Sequence, residues 1–447
     1  MTVARRRADA VACWRAALAA VEPAGLVATA LGRDGDALVL RAADGSILAR
    51  HAGPVLLVGA GKAALAMARG ASAAAGALLA GGVVVVPHAG VATCPGGVEV
   101  LGGGHPLPDA AGAAATARLL AAVEAAEADV LVLAVLGGGA SALLVAPAPG
   151  VTLEDERVVT AALLAAGADI AALNTVRRHC SRVKGGGLAR AAAGAAGLWA
   201  LVLSDVVGDD PAVVASGPTV ADPTTFADAL AVLARLPAAS VPPAVRAHLA
   251  RGADGALPET IKPGDPALAR AHTVVVGGNR RAVDAAAAEA RARGYAVHVL
   301  AEPLAGDAAD AGRRVAAALA ALPADGPAAL VAGGETTVRV VGGGRGGRCQ
   351  QLALAAAAAL AGRPAVVLAA GTDGVDGPTD AAGACVDGGT VARARARGHD
   401  PLAALAATDS YCALDASGDL LRTGPTGTNV ADVVVALRWV EGPAIPW

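Results

Sequence analysis

Most of the side chains that could do chemistry lie in one stretch of a very apolar chain, residues 174–219. Arg178 and Lys184 precede a run of glycines, and an apolar segment then ends in Asp205 and Asp209. Positive charge at a helix end, beside carboxylates at a strand end, is what an anion and a divalent cation together would need. A solvated basic helix followed by an acidic turn is the alternative.

Further glycines and polar residues recur where predicted strands end. In sheets of parallel strands a ligand binds beyond the carboxyl ends of the strands, so these loops are the expected site. The candidate binding residues of the loops and of the first stretch are Gly59, Gly61, His105, Gly137, Gly138, Gly139, Ser141, Arg178, Lys184, Ser216, Asn279, Glu335 and Asp373.

Lys62 follows the turn Gly59-Ala-Gly61 at the start of a predicted helix, where a lysine is well placed to meet a phosphate. The turn fits the loose GxGxxA pattern, but the acidic residue expected about 20 positions later in dinucleotide-binding proteins is missing. The turn also departs from a P-loop, because Leu56 occupies the first glycine position and Ala63 replaces the serine or threonine. An ordinary solvent-exposed lysine is the alternative.

The segment Gly137-Gly-Gly139-Ala-Ser141 offers backbone N–H groups with little bulk and a hydroxyl at a predicted helix start. Such loops either bind phosphates or simply turn tightly. His105 precedes a proline, and a structural histidine is the alternative to a general base. Asp109 is a candidate N-cap for a helix predicted over residues 110–128.

Arg348 begins a predicted helix after a glycine-rich segment, where a fixed guanidinium could stabilise charge on a transferring phosphoryl group. A mobile hairpin tip is the alternative. Residues 371–380 hold three carboxylates and two hydroxyls without EF-hand spacing, so they favour magnesium or substrate hydroxyls over calcium. We take Asp209 and Asp376 as candidate metal ligands.

Composition limits how these residues can be positioned. The 447-residue chain is 55% hydrophobic but only 2% aromatic, so its core must be built from Ala, Val and Leu. Short Val/Leu runs alternate with alanine-rich helices, which predicts strands buried on both faces of a mostly parallel sheet. We expect an α/β fold: a Rossmann-like three-layer sandwich with a mostly parallel sheet, and a second, smaller α/β domain.

The predicted domain boundaries follow changes in composition. Residues 1–235, which open with a helix over 8–30, form the first domain, and 236–270 form a proline-rich linker. Residues 271–414 form the second domain, and 415–447 form a tail that folds back onto the first.

Charge and cysteine content exclude several classes of function. A net charge of −3 offers no basic field for nucleic acid, and six widely spaced cysteines indicate reduced thiols in a cytoplasmic protein. The apolar run 130–151 is broken by glycines and prolines, and no secretory signal opens the chain, so no membrane association is expected. The oligomeric state stays open, with a homodimer among the options.

Ordered sequence blocks along nearly the whole chain resemble the glycerate 2-kinase family, two-domain kinases whose C-terminal part is called the MOFRL domain. The blocks are GAGKAALAMA (59–68), GGGHPLPDAAG (102–112), LGGGAS (136–141), LNTVRRHCSRVKGGGLA (173–189), SDVVGDD (204–210), ASGPTVADPTT (215–225), GGETTV (333–338), GGRCQQLALA (346–355) and GTDGVDGPTDAAGA (371–384).

The resemblance implies transfer of the γ-phosphoryl group of ATP to the 2-hydroxyl of D-glycerate, with Mg²⁺, in a cleft between two α/β domains. Lys62 and Arg348 are then the catalytic cations, and the loop 137–141 with Lys184 forms the nucleotide phosphate site. Cys349 and Gln351 stand where such proteins usually carry Asn and Glu. These two departures affect the detailed positioning of the side chains near Arg348, and not the family resemblance.

The resemblance also suggests acidic residues for the metal or for glycerate: Asp205, Asp209 and Asp373. We expect Asp205 to be the catalytic carboxylate that takes or orients the glycerate hydroxyl.

Two other functions compete with a kinase. A nicotinamide-dependent hydroxypyruvate reductase is supported by the GxGxxA turn alone, and the missing ribose-binding acid argues against it. A non-catalytic nucleotide-binding regulator would need a DNA-reading helix, a basic stripe or an effector module, and the sequence suggests none of these.

Overall fold

The structure is a computed structural model that describes residues 2–323 and 326–439. It divides into two compact units. Pro23–Gly277 forms the first, which we call the large unit. Met1–Glu22 and Gly278–Trp447 together form the second, which we call the split unit because the large unit interrupts it in sequence.

The chain begins with helix α1 (Val3–Ala20), which belongs to the split unit. The elements of the large unit are α2 (Pro23–Ala30), β1 (Leu31–Asp34), β2 (Ala37–Arg41), β3 (Ile47–His51), β4 (Val55–Ala60), α3 (Ala64–Ala75), β5 (Leu79–Pro87), β6 (Val98–Gly103), α4 (Ala110–Glu124), β7 (Leu131–Gly137), α5 (Ala140–Leu143), α6 (Leu153–Ala165), α7 (Ile170–His179), α8 (Gly187–Ala191), β8 (Gly197–Leu203), α9 (Phe226–Leu233), α10 (Pro243–Ala253) and β9 (Ala271–Gly277). The remaining elements of the split unit are α11 (Asn279–Ala292), β10 (Ala296–Val299), α12 (Ala308–Ala321), β11 (Ala328–Gly334), α13 (Arg348–Ala359), β12 (Ala365–Gly371), β13 (Gly383–Asp387), α14 (Thr390–Ala396), α15 (Pro401–Ala406), α16 (Ser410–Ser417), β14 (Leu420–Leu421) and β15 (Asp432–Arg438).

The large unit is built on a six-stranded sheet in the order β6-β5-β4-β7-β8-β9. Every strand pair in it is parallel. Each residue of β7 and β8 is buried, as the uninterrupted apolar runs predict for strands covered on both faces. The α/β fold class, with its mostly parallel sheet, is therefore confirmed.

The strand order reverses direction at the centre of this sheet. From β4 the chain moves outward to β5 and β6, and from β7 it moves the opposite way to β8 and β9. The loops after β4 and β7 consequently diverge at a topological switch point, where doubly wound sheets bind their ligands.

A smaller antiparallel sheet, β1-β2-β3, precedes the large one. The turn between β2 and β3 contains Asp44 and Gly45, and Gly45 has a φ of +85° there. The Asp44 carboxylate accepts the backbone N–H of Ser46, which closes the turn.

The proline-rich region does not behave as the predicted linker. Within 236–270 the chain forms α10, whose Val245 and Leu249 are fully buried with Phe226 and Leu233 of α9. The prolines fit this structure because Pro243 occupies the first turn of α10, where its missing N–H costs nothing. The region and strand β9 both belong to the large unit.

The split unit has a six-stranded mixed sheet in the order β10-β11-β15-β12-β13-β14. Among the described strand pairs of this sheet, β10 with β11 is parallel and the others are antiparallel. The last described strand, β15, lies between β11 and β12, which differs from the predicted tail on the first domain. Residues 440–447 of that tail lie outside the described residues.

The predicted helix over 8–30 is two helices that belong to different units. Helix α1 joins the split unit through Arg7, whose guanidinium donates to the carboxylates of Asp387 and Asp419 at 2.6 and 2.7 Å. These carboxylates are 4% and 1% exposed, and Arg393 also binds both of them. The first residues of the chain are thus fixed by buried charge.

Among the described residues, no single helix is long and apolar enough to cross a bilayer, and α1 with α2 reaches the required length only as a bent pair.

We predict that Arg7→Ala lowers the free energy of unfolding by about 2 kcal/mol, because two buried carboxylates then share one arginine. Urea unfolding of the purified protein measures this. Arg5→Ala is the matched control, since Arg5 lies on the same helix with an exposed side chain. Equal stability of the two variants would show that the Arg7 contacts do not hold α1.

Candidate functional site

The glycine turn after β4 is shaped by close approach to its neighbour β7. A Cβ at Gly59 would lie 2.5 Å from the carbonyl oxygen of Val135, and one at Gly61 would lie 2.8 Å from that of Gly137. Gly61 also has a φ of +132°, which side chains disfavour. Both glycines are therefore required by backbone packing, whether or not a ligand binds.

This packing brings Lys62 beside the loop that follows β7. The Lys62 backbone N–H donates to Gly138 O at 2.9 Å. Gly139 has a φ of +84°, and a Cβ there would lie 2.9 Å from the His105 ring and 3.4 Å from Lys62 Cγ. Three separately predicted loops, carrying Lys62, His105 and Gly137–Gly139, thus meet at the switch point of the sheet.

A chain of polar groups leads from this loop into the interior, beginning at half-buried Ser141. Ser141 Oγ lies 3.1 Å from Ser216 Oγ, and the Ser216 hydroxyl donates to Asn174 Oδ1 at 2.9 Å. The Asn174 Nδ2 atom is buried without a partner among the described residues. Asn174 was not among the predicted binding residues, although it opens the polar stretch of the sequence.

The backbone around Ser216 is strained. Ala215, Ser216 and Gly217 have φ values of +54°, +62° and +67°, and two of the three carry side chains that disfavour this region. Their carbonyls are held by the glycine run, since Gly185 N donates to Ser216 O and Gly186 N to Gly217 O. Strain of this kind persists where surrounding contacts over-determine it, and it concentrates at functional sites.

Lys184 is buried beneath the same region. Its Nζ donates to Leu144 O at 2.6 Å, and burial lowers the pKa of its ammonium to about 8. Glu156 opposes this effect and Arg177 reinforces it. The amine predicted to contact phosphate is therefore directed at a backbone carbonyl in this structure.

Arg178, predicted as a ligand contact, binds the protein itself. Its guanidinium donates to Asp222 Oδ1 at 3.0 Å and to Ala212 O at 2.5 Å. Asp222 also accepts from Thr260 and Thr224. Arg178 consequently anchors the loop that contains Ser216, and we assign it a structural role.

The acidic loop after β8 carries two of the aspartates predicted to contact Mg²⁺ or glycerate, Asp205 and Asp209. Asp205 is half-buried directly after the strand. Asp209 has a φ of +54° and a buried Oδ1 atom for which the described part of the chain provides no hydrogen-bond partner. Among the described residues no three acidic, histidine or cysteine side chains cluster as a protein-only metal site. One orphaned carboxylate oxygen fits Mg²⁺, which usually takes one or two carboxylates and completes its shell with phosphates and water.

Asp109 is confirmed as the N-cap of α4. Its Oδ1 accepts the Gly112 N–H at 2.8 Å, and its Oδ2 lies 2.7 Å from His88 Nε2. The Gly112 N–H and the His88 contact lower the pKa of Asp109 to about 2.

The split unit holds a second group of predicted site residues around Arg348. The Arg348 guanidinium makes a bidentate pair with Asp432, at 2.6 and 2.9 Å, and an ion pair with Glu335 at 2.9 Å. Burial disfavours the charged guanidinium, but the hydrogen bonds and charge of Asp432 outweigh burial and raise the pKa of Arg348. Arg348 is therefore a permanently charged group whose orientation is fixed.

Asp432 is the residue of this group that sequence reasoning missed. It is buried, and its backbone carbonyl also accepts from Asn279 Nδ2 at 2.9 Å. Asp373 lies nearby, because a Cβ at Gly371 would lie 3.2 Å from Asp373 Oδ1 and 3.5 Å from Asp432 Oδ1. The sequence feature that could have identified Asp432 is its place as a lone aspartate at the start of an apolar run near the C-terminus.

Asp376, predicted as a metal ligand, caps helix α13. Its two oxygens accept the N–H groups of Cys349 and Gln350 at 3.1 and 2.8 Å. Burial raises the pKa of Asp376 to about 7 against the lowering effect of the Gln350 N–H. A Cβ at Gly347 would lie 2.2 Å from this carboxylate, so the glycine before α13 makes room for the cap. We therefore assign Asp376 to positioning the helix that carries Arg348.

Two family models match the chain. A model described as a domain of unknown function, DUF4147, matches residues 9–250, and the MOFRL family model matches residues 328–432.

Similar proteins carry kinase and reductase names. D-glycerate 2-kinase of Thermotoga maritima is 42% identical over 86% of this chain and 90% of its own length. Glycerate 2-kinase of Pyrococcus horikoshii is 41% identical over 76% of this chain and 78% of its own length. A protein of Agrobacterium vitis with the provisional name hydroxypyruvate reductase is 45% identical over 86% of this chain and 87% of its own length.

The fold is shared with a solved structure. The crystal structure of a Thermotoga maritima glycerate kinase matches with a TM-score of 0.82 and 37% identity, covering 97% of this chain and 99% of that one.

We predict that Gly139→Ala lowers the free energy of unfolding by about 1 to 3 kcal/mol more than Gly150→Ala does. Both glycines have nearly the same φ, +84° and +87°, so both variants incur the left-handed backbone cost. At Gly139 the new methyl group would meet the His105 ring, whereas at Gly150 no described residue other than the chain neighbours lies within 4 Å of it. Equal losses in urea unfolding would show that Gly139 and His105 are not in contact.

Proposed function

We propose that this chain, which belongs to the glycerate 2-kinase family with a C-terminal MOFRL domain, transfers the γ-phosphoryl group of ATP to the 2-hydroxyl of D-glycerate. The product is 2-phosphoglycerate. The observation that carries the proposal is the meeting of Lys62, His105 and the glycine loop 137–139 at the switch point of a parallel sheet.

The large unit supplies the phosphate-binding half of this proposal. The loop 137–139 lets a phosphate approach the backbone without side-chain bulk, and Lys62 beside it adds a positive charge. Ser141 contributes a hydroxyl whose position is fixed through Ser216 and Asn174. Phosphoryl transfer demands mainly positioning and positive charge from a protein, so these groups suit the reaction.

The split unit supplies a fixed cation. Arg348 can give positive charge to a transferring phosphoryl group at every physiological pH, because Asp432 stabilises its charged form. Its bidentate pair leaves the Nη1 side facing Glu335, whose side chain is 50% exposed and can exchange for an anionic ligand. Asp432 and Asn279 then act as positioning residues for Arg348.

The acceptor hydroxyl needs a base or an orienting group, and we propose Asp205 for this role. Asp209 is the candidate that would hold Mg²⁺, through its unpartnered carboxylate oxygen. When bound, Mg²⁺ neutralises charge on the phosphate oxygens. Asp205 itself would accept a hydrogen bond from the glycerate 2-hydroxyl and orient its oxygen for attack.

A hydroxypyruvate reductase is the second candidate, favoured by the name of the Agrobacterium vitis relative. It has less support, because that name is provisional and because the position of the ribose-binding acid falls in β5, an apolar strand. We also propose a cytoplasmic location, since all six cysteines are free thiols.

The direct test incubates the purified protein with ATP, Mg²⁺ and D-glycerate and identifies the phosphorylated carbon of the product by NMR. We expect 2-phosphoglycerate and ADP. A parallel reaction with NADH and hydroxypyruvate, without ATP, should leave the NADH absorbance unchanged. NADH oxidation without any ATP-dependent product would replace the kinase by the reductase.

We predict that Arg348→Ala lowers kcat by roughly 10³-fold or more, the loss typical for removal of an arginine that stabilises the transferring phosphoryl group. Arg345→Ala is the control, because Arg345 lies in the same glycine-rich segment with an exposed side chain that stacks on Tyr411. The control should keep near-normal turnover. An Arg348→Ala enzyme that turns over as fast as the control would refute the catalytic role.

A further inference from the structure

The large unit contains a cavity of about 260 Å³ that none of the assigned roles explains. It lies between helices α6 and α7 and the segment Pro106–Pro108, and Ser141 and Lys184 also line it. Its walls are mostly apolar, formed by the side chains of Leu107, Val145, Val159, Leu164 and Val176.

Two charged side chains line this cavity without a hydrogen bond from the described part of the protein. Glu156 and Arg177 attract each other, and Lys184 also attracts Glu156. Neither the Glu156 carboxylate nor the Arg177 guanidinium has a hydrogen-bond or close ion-pair partner among the residues the structure describes. Burial raises the pKa of Glu156 and lowers the pKa of Arg177, so both groups lose hydration in this position. Removing a charged group from water without giving it a hydrogen bond costs free energy, and a ligand that hydrogen-bonds to the group would offset this cost.

The lining selects among the substrates of the proposed reaction. D-glycerate carries oxygen on each of its three carbons and has no apolar face, so it would leave the apolar walls uncovered. A nucleobase has two apolar faces and a polar edge, which suits apolar walls with a few polar groups. The volume lies just under the roughly 300 Å³ at which pockets for whole small molecules begin, so it suits part of a nucleotide.

The cavity also adjoins the proposed phosphate loop. Ser141 belongs to both, since it lines the cavity and follows Gly137–Gly139 in sequence. Pro106 lines the cavity directly after His105, whose ring contacts the Gly139 position. A ligand that extends from the glycine loop into the cavity therefore has its phosphates and its apolar part on neighbouring walls.

We propose that this cavity holds the adenine nucleoside of ATP, with Glu156 accepting from base or sugar donors and Arg177 facing the same ligand. The inference rests on the proposed kinase function. It assigns the apolar part of the nucleotide to α6, α7 and the 106–108 segment.

The test fills the cavity from an exposed position. Ala161 lines the cavity on α6 with an exposed side chain, so Ala161→Trp should occupy the space of the base. Val158→Trp is the matched control, because Val158 lies on the same helix, is 41% exposed and does not line the cavity. Calorimetry should show ADP binding at least about tenfold weaker in Ala161→Trp than in Val158→Trp, a difference of about 1.4 kcal/mol.

A second variant distinguishes a change in the cavity from a change in folding. Leu164→Ala removes an apolar wall at a side chain that is 59% exposed, and it should weaken ADP binding several-fold while far-ultraviolet circular dichroism stays that of the wild type. Both cavity variants should raise the KM for ATP and leave the KM for D-glycerate unchanged. If both variants bind ADP like the wild type, the inference is overturned.

The outcome separates this inference from the proposed function. A wild-type enzyme that phosphorylates D-glycerate, with cavity variants of unchanged KM for ATP, overturns the nucleoside assignment alone. A wild type that binds ADP but forms no 2-phosphoglycerate overturns the kinase. In that case, weaker ADP binding in Ala161→Trp would still support the cavity as the nucleoside site.

Discussion

The contact between the backbones of Gly61 and Gly137 is the constraint on which the large unit's candidate site depends. Adjacent parallel strands β4 and β7 end beside each other, and a Cβ at Gly61 would lie 2.8 Å from Gly137 O. Because position 61 is a glycine, the two loops approach closely and the Lys62 N–H reaches Gly138 O. The same spacing places Gly139 against His105. A lysine, a histidine and a strand-end glycine loop thus converge as a result of backbone packing.

An equivalent constraint operates in the split unit through the position of β15. Asp432 opens this strand and pairs with Gly334 on one side and Gly371 on the other. The Arg348 guanidinium lies beside this aspartate and donates two hydrogen bonds to it. The position of Arg348 therefore depends on β15, a strand near the C-terminal end of the chain. The strand order of the sheet positions this arginine as well as forming the core.

The sequence predicted the elements that local pattern determines. Strands such as β7 and β8 were evident as apolar runs, and Asp109 was evident as a cap from its place before a helix. Local pattern could not predict where β15 lies in the sheet. Its partners β11 and β12 lie about a hundred and about seventy residues earlier in the chain, and antiparallel pairing over such distances gives no local sequence signal. The attachment of α1 to the split unit was missed for the same reason, since Arg7 finds its carboxylates near residues 387 and 419.

The candidate site residues fall into two groups: those whose charge is already bound by other protein groups, and those whose charge is not. The sequence alone does not show which protein groups lie within reach of each charge. Arg178 and Asp376 have the residue types of ligand contacts, yet each is already bound by backbone and side-chain partners. In an alanine-rich interior few polar groups are available, so a charge that the fold buries must be paired by the few that exist. Within the described part of the chain, the Asp209 Oδ1 atom, the Glu156 carboxylate and the Arg177 guanidinium have no hydrogen-bond partner. These groups are therefore more informative about ligands than the charged residues as a class, and they lie in the loop after β8 and in the cavity beside the glycine loop.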